Sequence, residues 1–326
     1  MAFNFLQSSD AGAPTFTGAA GSVISLLDAC LVNGYGSKTP LGWTKAFSGT
    51  NTAAYRQSGT TNNVYLRISD TNATLGWARC RMYGAMTDVD TGTDPAPTEA
   101  QIAGGMYLIK SGSGDTTTPR PWVVLGNEKS FYMWIGHNNT LTQGIYYQSA
   151  YNTCPPAYFF GDFKSYLPGD QWNKVIFANY NTSWAGTSIA YNTGISTVHG
   201  CTYVMRPYLQ VGSAINGGLV LDMAWAGGDP SASLAGTPFP DPISGGMRLG
   251  TVKISEPSYS SVRGEYPGRY VIYNYQPPIT SGDEFDGSGQ FLGKRLKFMK
   301  AGTMGTSSWA GWMSHPWIIN DAWGSY

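Results

Sequence analysis

Three short stretches of this chain hold residues of the types that do chemistry. The first, NGYGSKT at residues 33–39, puts glycines, a lysine and a threonine directly after an apolar run. A phosphate-cradling loop needs GxxxxGK[ST] between a strand and a helix. Here Ser37 separates Gly36 from Lys38, the element before the glycines has helical periodicity, and Pro40 opposes a helix start because it lacks a backbone donor. The expectation is a helix stop at Gly34 followed by a turn through Pro40, with Lys38 and Thr39 as turn residues. The second stretch, DVDTGTD at 88–94, sets Asp88, Asp90 and Asp94 around Gly92 in a pattern akin to calcium loops, where carboxylates surround a hard cation. It lacks the third ligand before the glycine and the downstream glutamate, and reads as an acidic turn. The third, SGDEFDGSG at 281–289, clusters Asp283, Glu284 and Asp286, the residue types that a glycosidase uses as acid and as base or nucleophile. Gly-flanked acidic clusters are also ordinary hairpin loops, and that is the reading favoured here.

No nucleophile and base can be assembled. His137, His199 and His315 are the only imidazoles, and no GxSxG elbow accompanies them. Cys30, Cys80, Cys154 and Cys201 are widely separated with no CxxC pair, so they read as buried thiols and not as a zinc site. Asn72, Asn138 and Asn181 begin Asn-x-Ser/Thr sequons, but the N-terminus has neither a basic region nor a long apolar core of a secretory signal. The longest apolar stretch, Val23 to Val32, is far too short for a membrane span. Trp309, Trp312, Trp317 and Trp323 crowd the C-terminus; they could pack internally, stack sugars, or form an apolar face buried against a neighbouring subunit. Catalytic, cofactor and metal residues are therefore all expected to be none. Lys plus Arg equals Asp plus Glu at 20 each, which disfavours nucleic acid and anionic lipid as partners.

The elements that would position such residues are mostly strands. Over 326 residues there are 42 Gly, 19 Pro, 21 Tyr, 13 Phe and 11 Trp and only 12% charged residues, a composition for short strands and tight turns. Residues 7–22 are small and polar, which predicts an extended N-terminal arm over residues 1–22, and residues 23–326 one β-rich unit, with the segment near 110–120 as the best place for a subdivision. From Ser22 as N-cap, Val23, Leu26, Leu27, Cys30 and Leu31 recur at helical spacing, predicting one amphipathic helix. The period then drops to two. NVYLRISD places Val64, Leu66 and Ile68 against Tyr65 and Arg67, and ARCRMYG places Ala78, Cys80 and Met82 against Arg79, Arg81 and Tyr83, so the two are expected to pair. Trp122 to Leu125 and Phe131 to Ile135 flank a polar connection and predict a hairpin. Further strands are expected in NKVIFANY, CTYVMRPYLQ, GLVLDMAW, MRLGTVKIS, RYVIYNY and KRLKFMK, and long loops over 84–120 and 226–246. The fold class that follows is mainly β, antiparallel sheets packed as a sandwich or an irregular sheet pair with one N-terminal amphipathic helix; α+β is the alternative.

Four runs carry a resemblance: SVISLLDACLVNGYGSKTPLGWTKAFSGTNTAAYR, MTDVDTGTDPAPTEAQ, YFFGDFKSYLPGD and ISEPSYSSVRGEYPGRYVIYNY. Together they resemble a family of tailed-bacteriophage virion structural proteins. The resemblance implies a non-enzymatic subunit located in the virion, on capsid, neck or tail, with copies of itself and other virion proteins as partners. It brings no catalytic or ligand-binding residue with it. The Trp-rich ending departs from the more charged ending of relatives. A glycan-binding or receptor-binding surface module is the alternative.

Overall fold

The structure, a computed structural model, describes residues 4–71, 76–111, 115–136, 157–178, 202–221, 240, 245–247, 249–256, 261–272, 282–300 and 314–318. Among the described residues it is mainly β, with antiparallel sheets, one short helical segment near the N-terminus and a 3-10 turn at Gly289–Phe291. After strand β1 (Asn4–Gln7) the chain enters helix α1 (Ser22–Leu27), which widens into a π-helical turn over Asp28–Asn33 and stops at Gly34, whose φ of 75° is costly for other residues. The cap differs from the sequence expectation. Gly21 is the N-cap, and the Val23 N–H donates 2.8 Å to the carboxylate of Asp70, far away in sequence.

Strands β2 (Thr44–Gly49), β3 (Thr52–Arg56), β4 (Tyr65–Ser69) and β5 (Trp77–Asp88) then build a six-stranded sheet with β6 (Thr91–Ala96) and β7 (Met106–Ile109). The expected β4–β5 pairing is present, with Tyr65 opposite Tyr83 and Arg67 opposite Arg81. The expected loop over 84–120 is not. The far half of β5, β6 and β7 all lie within it, because β5 is long enough to hold β6 and β7 along the same edge. Leu66, Ile68, Ala78, Cys80, Met82, Met106 and Leu108 point one way, into a core shared with Val23, Leu27 and Leu31 of the helical segment.

The other sheet has 13 strands. It begins as β1 against β8 (Trp122–Gly126), continues through β9 (Ser130–Ile135), β10 (Ala157–Asp162), β12 (Lys174–Phe177), β13 (Thr202–Val204), β14 (Ile215–Leu221), β15 (Leu249–Glu256) and β16 (Ser261–Ile272), and ends on β19 (Ser314–Ile318), β18 (Arg295–Lys300) and β17 (Glu284–Asp286). The short β11 (Lys164–Ser165), one residue beyond β10, pairs with β16, so the sheet curls round until the chain that left as β10 meets its far strand. Strands β8 and β9 form the expected hairpin and are buried on both faces. Val124, Phe131, Met133 and Ile135 face the first core, while Val123, Leu125, Tyr132 and Trp134 join Phe159, Phe163, Val175, Phe177, Ile254 and Tyr266 in a second. Two-sided burial is what a continuous apolar run in a strand asks for.

Residues 4–22 pack onto this body instead of projecting from it: β1 is hydrogen-bonded to β8, and Phe16 is buried. The 110–120 segment is anchored at both ends, by the buried Lys110–Asp70 ion pair and by the Arg120 N–H donating 2.8 Å to the Phe16 carbonyl. The first core is continuous on either side of it. The expected loop at 226–246 lies almost wholly outside the described residues. No helix among the described residues is long and apolar enough to cross a membrane.

Candidate functional site

Where the two sheets meet, loops from both enclose a polar cleft of about 580 Å³. Gly59, Thr60 and Thr61 come from the β3–β4 loop, Lys129 from the β8–β9 turn, and Asp162, Asp170, Asn173 and Lys174 from β10, β12 and the loop between. Gln57 stitches the junction: its amide donates to the Lys129 carbonyl and to the Asp162 carboxylate, and its own carbonyl accepts from Val64 N–H at 3.3 Å. Gly161 makes that approach feasible, since a Cβ there would sit 2.3 Å from the Lys129 carbonyl oxygen and its φ is 114°. Asp162 is ion-paired to Lys174 at 2.9 Å, both side chains almost fully buried. Burial raises the Asp162 carboxyl above its ordinary range, opposed by Lys174 and Gln57.

Behind the cleft lies a second buried charge network. Arg263 reaches Asp170 at 2.8 Å through Nε and pairs with Glu256, and all three side chains are shut off from solvent. Asp170 also accepts from Ser165 Oγ at 2.6 Å and Gln210 Nε2 at 2.7 Å, and Glu256 accepts from Tyr208 N–H at 2.8 Å. The cleft's carboxylates are therefore each engaged by a cation and by further donors, which suits a pre-set structural junction better than a group that must give up or take a proton. Sequence reading missed this junction, because a single Asp after YFFG and a single Gln after a strand carry no signal until distant strands meet.

The stretches singled out from sequence do not come together here. Lys38 donates 3.2 Å to the Phe5 carbonyl and lies 3.4 Å from Asp10, while Asn4 Nδ2 donates to the Pro40 carbonyl at 3.1 Å, so the NGYGSKT turn is a clamp on β1. Asp88, Asp90 and Asp94 diverge: Asp88 accepts from its neighbour's N–H, Asp90 pairs with Arg67, and Asp94 with Arg206 at 2.7 Å. Among the described residues no three His, Cys, Asp or Glu side chains converge as metal ligands. Glu284 and Asp286 sit on β17 and face the cations of β18, Glu284 with Arg295 at 2.9 Å and Lys297 at 3.1 Å, Asp286 with Arg295 at 3.0 Å. Against the opposing pull of partial burial, those cations hold Glu284 below the usual carboxylate range, the wrong direction for a general acid.

Cys30 and Cys80 are buried free thiols, pushed well above the ordinary thiol range by burial. His137, His199, Cys154, Cys201, Asn72, Asn138, Asn181, Trp309, Trp312 and Trp323 lie outside the described residues; His315 and Trp317 are placed only as backbone of β19.

Sheet edges form the other exposed feature. The outer side of β1 is covered by the Lys38 clamp, but β2 at the end of the six-stranded sheet is exposed along nearly its whole length, and no hydrogen bond among the described residues reaches its outer backbone row. Its single cation, Lys45, is taken up by Asp28 at 2.9 Å and so is weakened as an edge guard. Compared with known proteins, the chain matches no family model and no curated sequence.

Proposed function

We propose that this chain is a non-enzymatic structural component of a tailed-phage virion, assembling with itself and with other virion proteins on the capsid, neck or tail. The observation that carries the assembly part is β2, an open and exposed edge strand, in contrast to the edge at β1, which the Lys38 clamp covers. Strand addition at such an edge uses main-chain hydrogen bonds and needs no cleft or catalytic group. The ion-paired carboxylates of the cleft and of β17 fit a scaffold whose charges fix its own geometry. The virion part rests on the four sequence runs that resemble phage structural proteins.

Two measurements test it. A cryo-EM map of the purified particle is expected to contain the chain at stoichiometric copy number; its absence from purified particles overturns the reading. For the edge, light scattering of the isolated protein is expected to show association that Ser48→Lys on β2 reduces without changing the circular dichroism.

A further inference from the structure

The outer face of the six-stranded sheet, opposite the core, has a composition that the even overall charge conceals. Register fixes which side chains stand there. Since Leu66, Ile68, Ala78, Cys80 and Met82 face inward, their alternates Tyr65, Arg67, Trp77, Arg79, Arg81 and Tyr83 face outward. Arg56 lies opposite Tyr65, Phe47 opposite Ala54 of the same outward set, and Tyr107 opposite Arg79.

Four guanidinium groups thus share this face: Arg67 is paired with Asp90, Arg81 is buried beneath Glu99 and the Ile102 carbonyl, and Arg56 and Arg79 have no ion-pair partner among the described residues. Arg56 is exposed and lies 5.6 Å from the Tyr65 ring centre; Arg79 lies 3.6 Å from that of Tyr107 and donates to the backbone carbonyls of Ala103 and Gly105. Arg67 stands directly opposite Arg81, a like-charge cross-strand pair that a sheet selected only for stability would avoid. Tyr65 and Tyr83 are also directly opposed, and Phe47 stacks on Tyr65 with ring centres 6.1 Å apart.

We infer that this face of β3, β4, β5 and β7 binds single-stranded nucleic acid. Partly buried aromatic rings on an antiparallel sheet offer stacking platforms for unpaired bases, and Arg56, Arg67 and Arg79 among them supply phosphate contacts and further stacking. Charge complementarity selects an anionic partner, and the rings select one with planar groups; a duplex hides its bases and a plain polyanion has none. The inference does not depend on the virion reading, and it runs against the expectation drawn from net charge because Arg56 and Arg79, neither ion-paired among the described residues, stand on the same face as the rings.

The test is fluorescence anisotropy of a labelled oligothymidylate of roughly 16 nucleotides with the full chain, between about 50 and about 200 mM salt. Wild type is expected to bind, with affinity falling linearly in log salt. Tyr83→Ala is expected to weaken binding about tenfold while Tyr83→Phe retains it. Arg56→Gln, an exposed position where unfolding is no concern, is expected to lower the salt slope by about 0.7, one phosphate contact on a single strand. Absence of binding at the lowest salt, equal affinity of Tyr83→Ala and wild type, or equal competition by duplex DNA or polyglutamate each overturns the proposal.

Discussion

Lys110 and Asp70 show how much one side chain can hold in this molecule. Both are fully buried and ion-paired; Lys110 also donates 2.9 Å to the Ala19 carbonyl, and Asp70 accepts from the first turn of α1. One pair therefore joins the N-terminal segment, the helical segment, the end of β4 and the end of β7. Removing one partner of such a pair strands the other charge in a low dielectric. Lys110→Met is expected to lower unfolding free energy by about 3–5 kcal/mol in urea titration; a loss below about 1 kcal/mol would show the pair to be solvated. The Asp162 carboxyl supplies a pH signature of the same physics. Burial raises its native pKa above that of the unfolded chain, so between the two values the native state holds a proton that the unfolded state has released. Its contribution is fully present below about pH 4 and is lost as pH rises through the native pKa. The stability of wild type relative to Asp162→Asn is thus expected to fall as pH is raised from about 4, with a slope of up to about 1.4 kcal/mol per pH unit. A difference that grows with pH would mean that Lys174 outweighs burial.

At the scale of elements, burial on one face or two decides both cost and legibility. Phe131 on β9 packs between Trp43 at 5.3 Å and Phe160 at 5.2 Å, so Phe131→Ala is expected to cost about 3–5 kcal/mol. Thr93→Ala on the exposed β6 is expected to stay within about 0.5 kcal/mol, both by thermal or chemical denaturation. Strands whose faces differ were readable from sequence: Tyr65 to Ser69 and Ala78 to Tyr83 alternate, and they pair in the register that alternation demands. The β8–β9 hairpin was readable because two apolar runs flank a short polar turn. Strand β6 was not, since TGTDPA has little intrinsic strand preference and is held as a strand by β5. Nor was the π-helical widening after Leu27, where Asp28 accepts from Tyr55 Oη at 2.9 Å and from Lys45, partners that sequence spacing does not bring together. The cleft failed to show for the same reason: Gln57 and Asp162 are 105 residues apart.

Taken as a whole, the molecule is a central layer of β8, β9, β10 and β12 with a core on either side. The six-stranded sheet and helical segment cover one face, the curl of β14 to β16 covers the other, and β13 joins the layer at its margin, with Tyr203 in one core and Val204 in the other. Neither core can be lost without exposing a face of the central strands, so those strands report global unfolding, while strands covered on one side can open locally. Native-state hydrogen exchange is therefore expected to be slowest in β8, β9, β10 and β12, and faster by orders of magnitude in β2 and in β17, an edge strand of three residues paired, among the described residues, only to β18. The gradient also separates assembly from fold. Exchange at β2 that slows in the assembled state, while the central layer is unchanged, identifies β2 as the strand that a neighbour completes. Equal slowing across both sheets would place the contact elsewhere and leave the open edge without a partner.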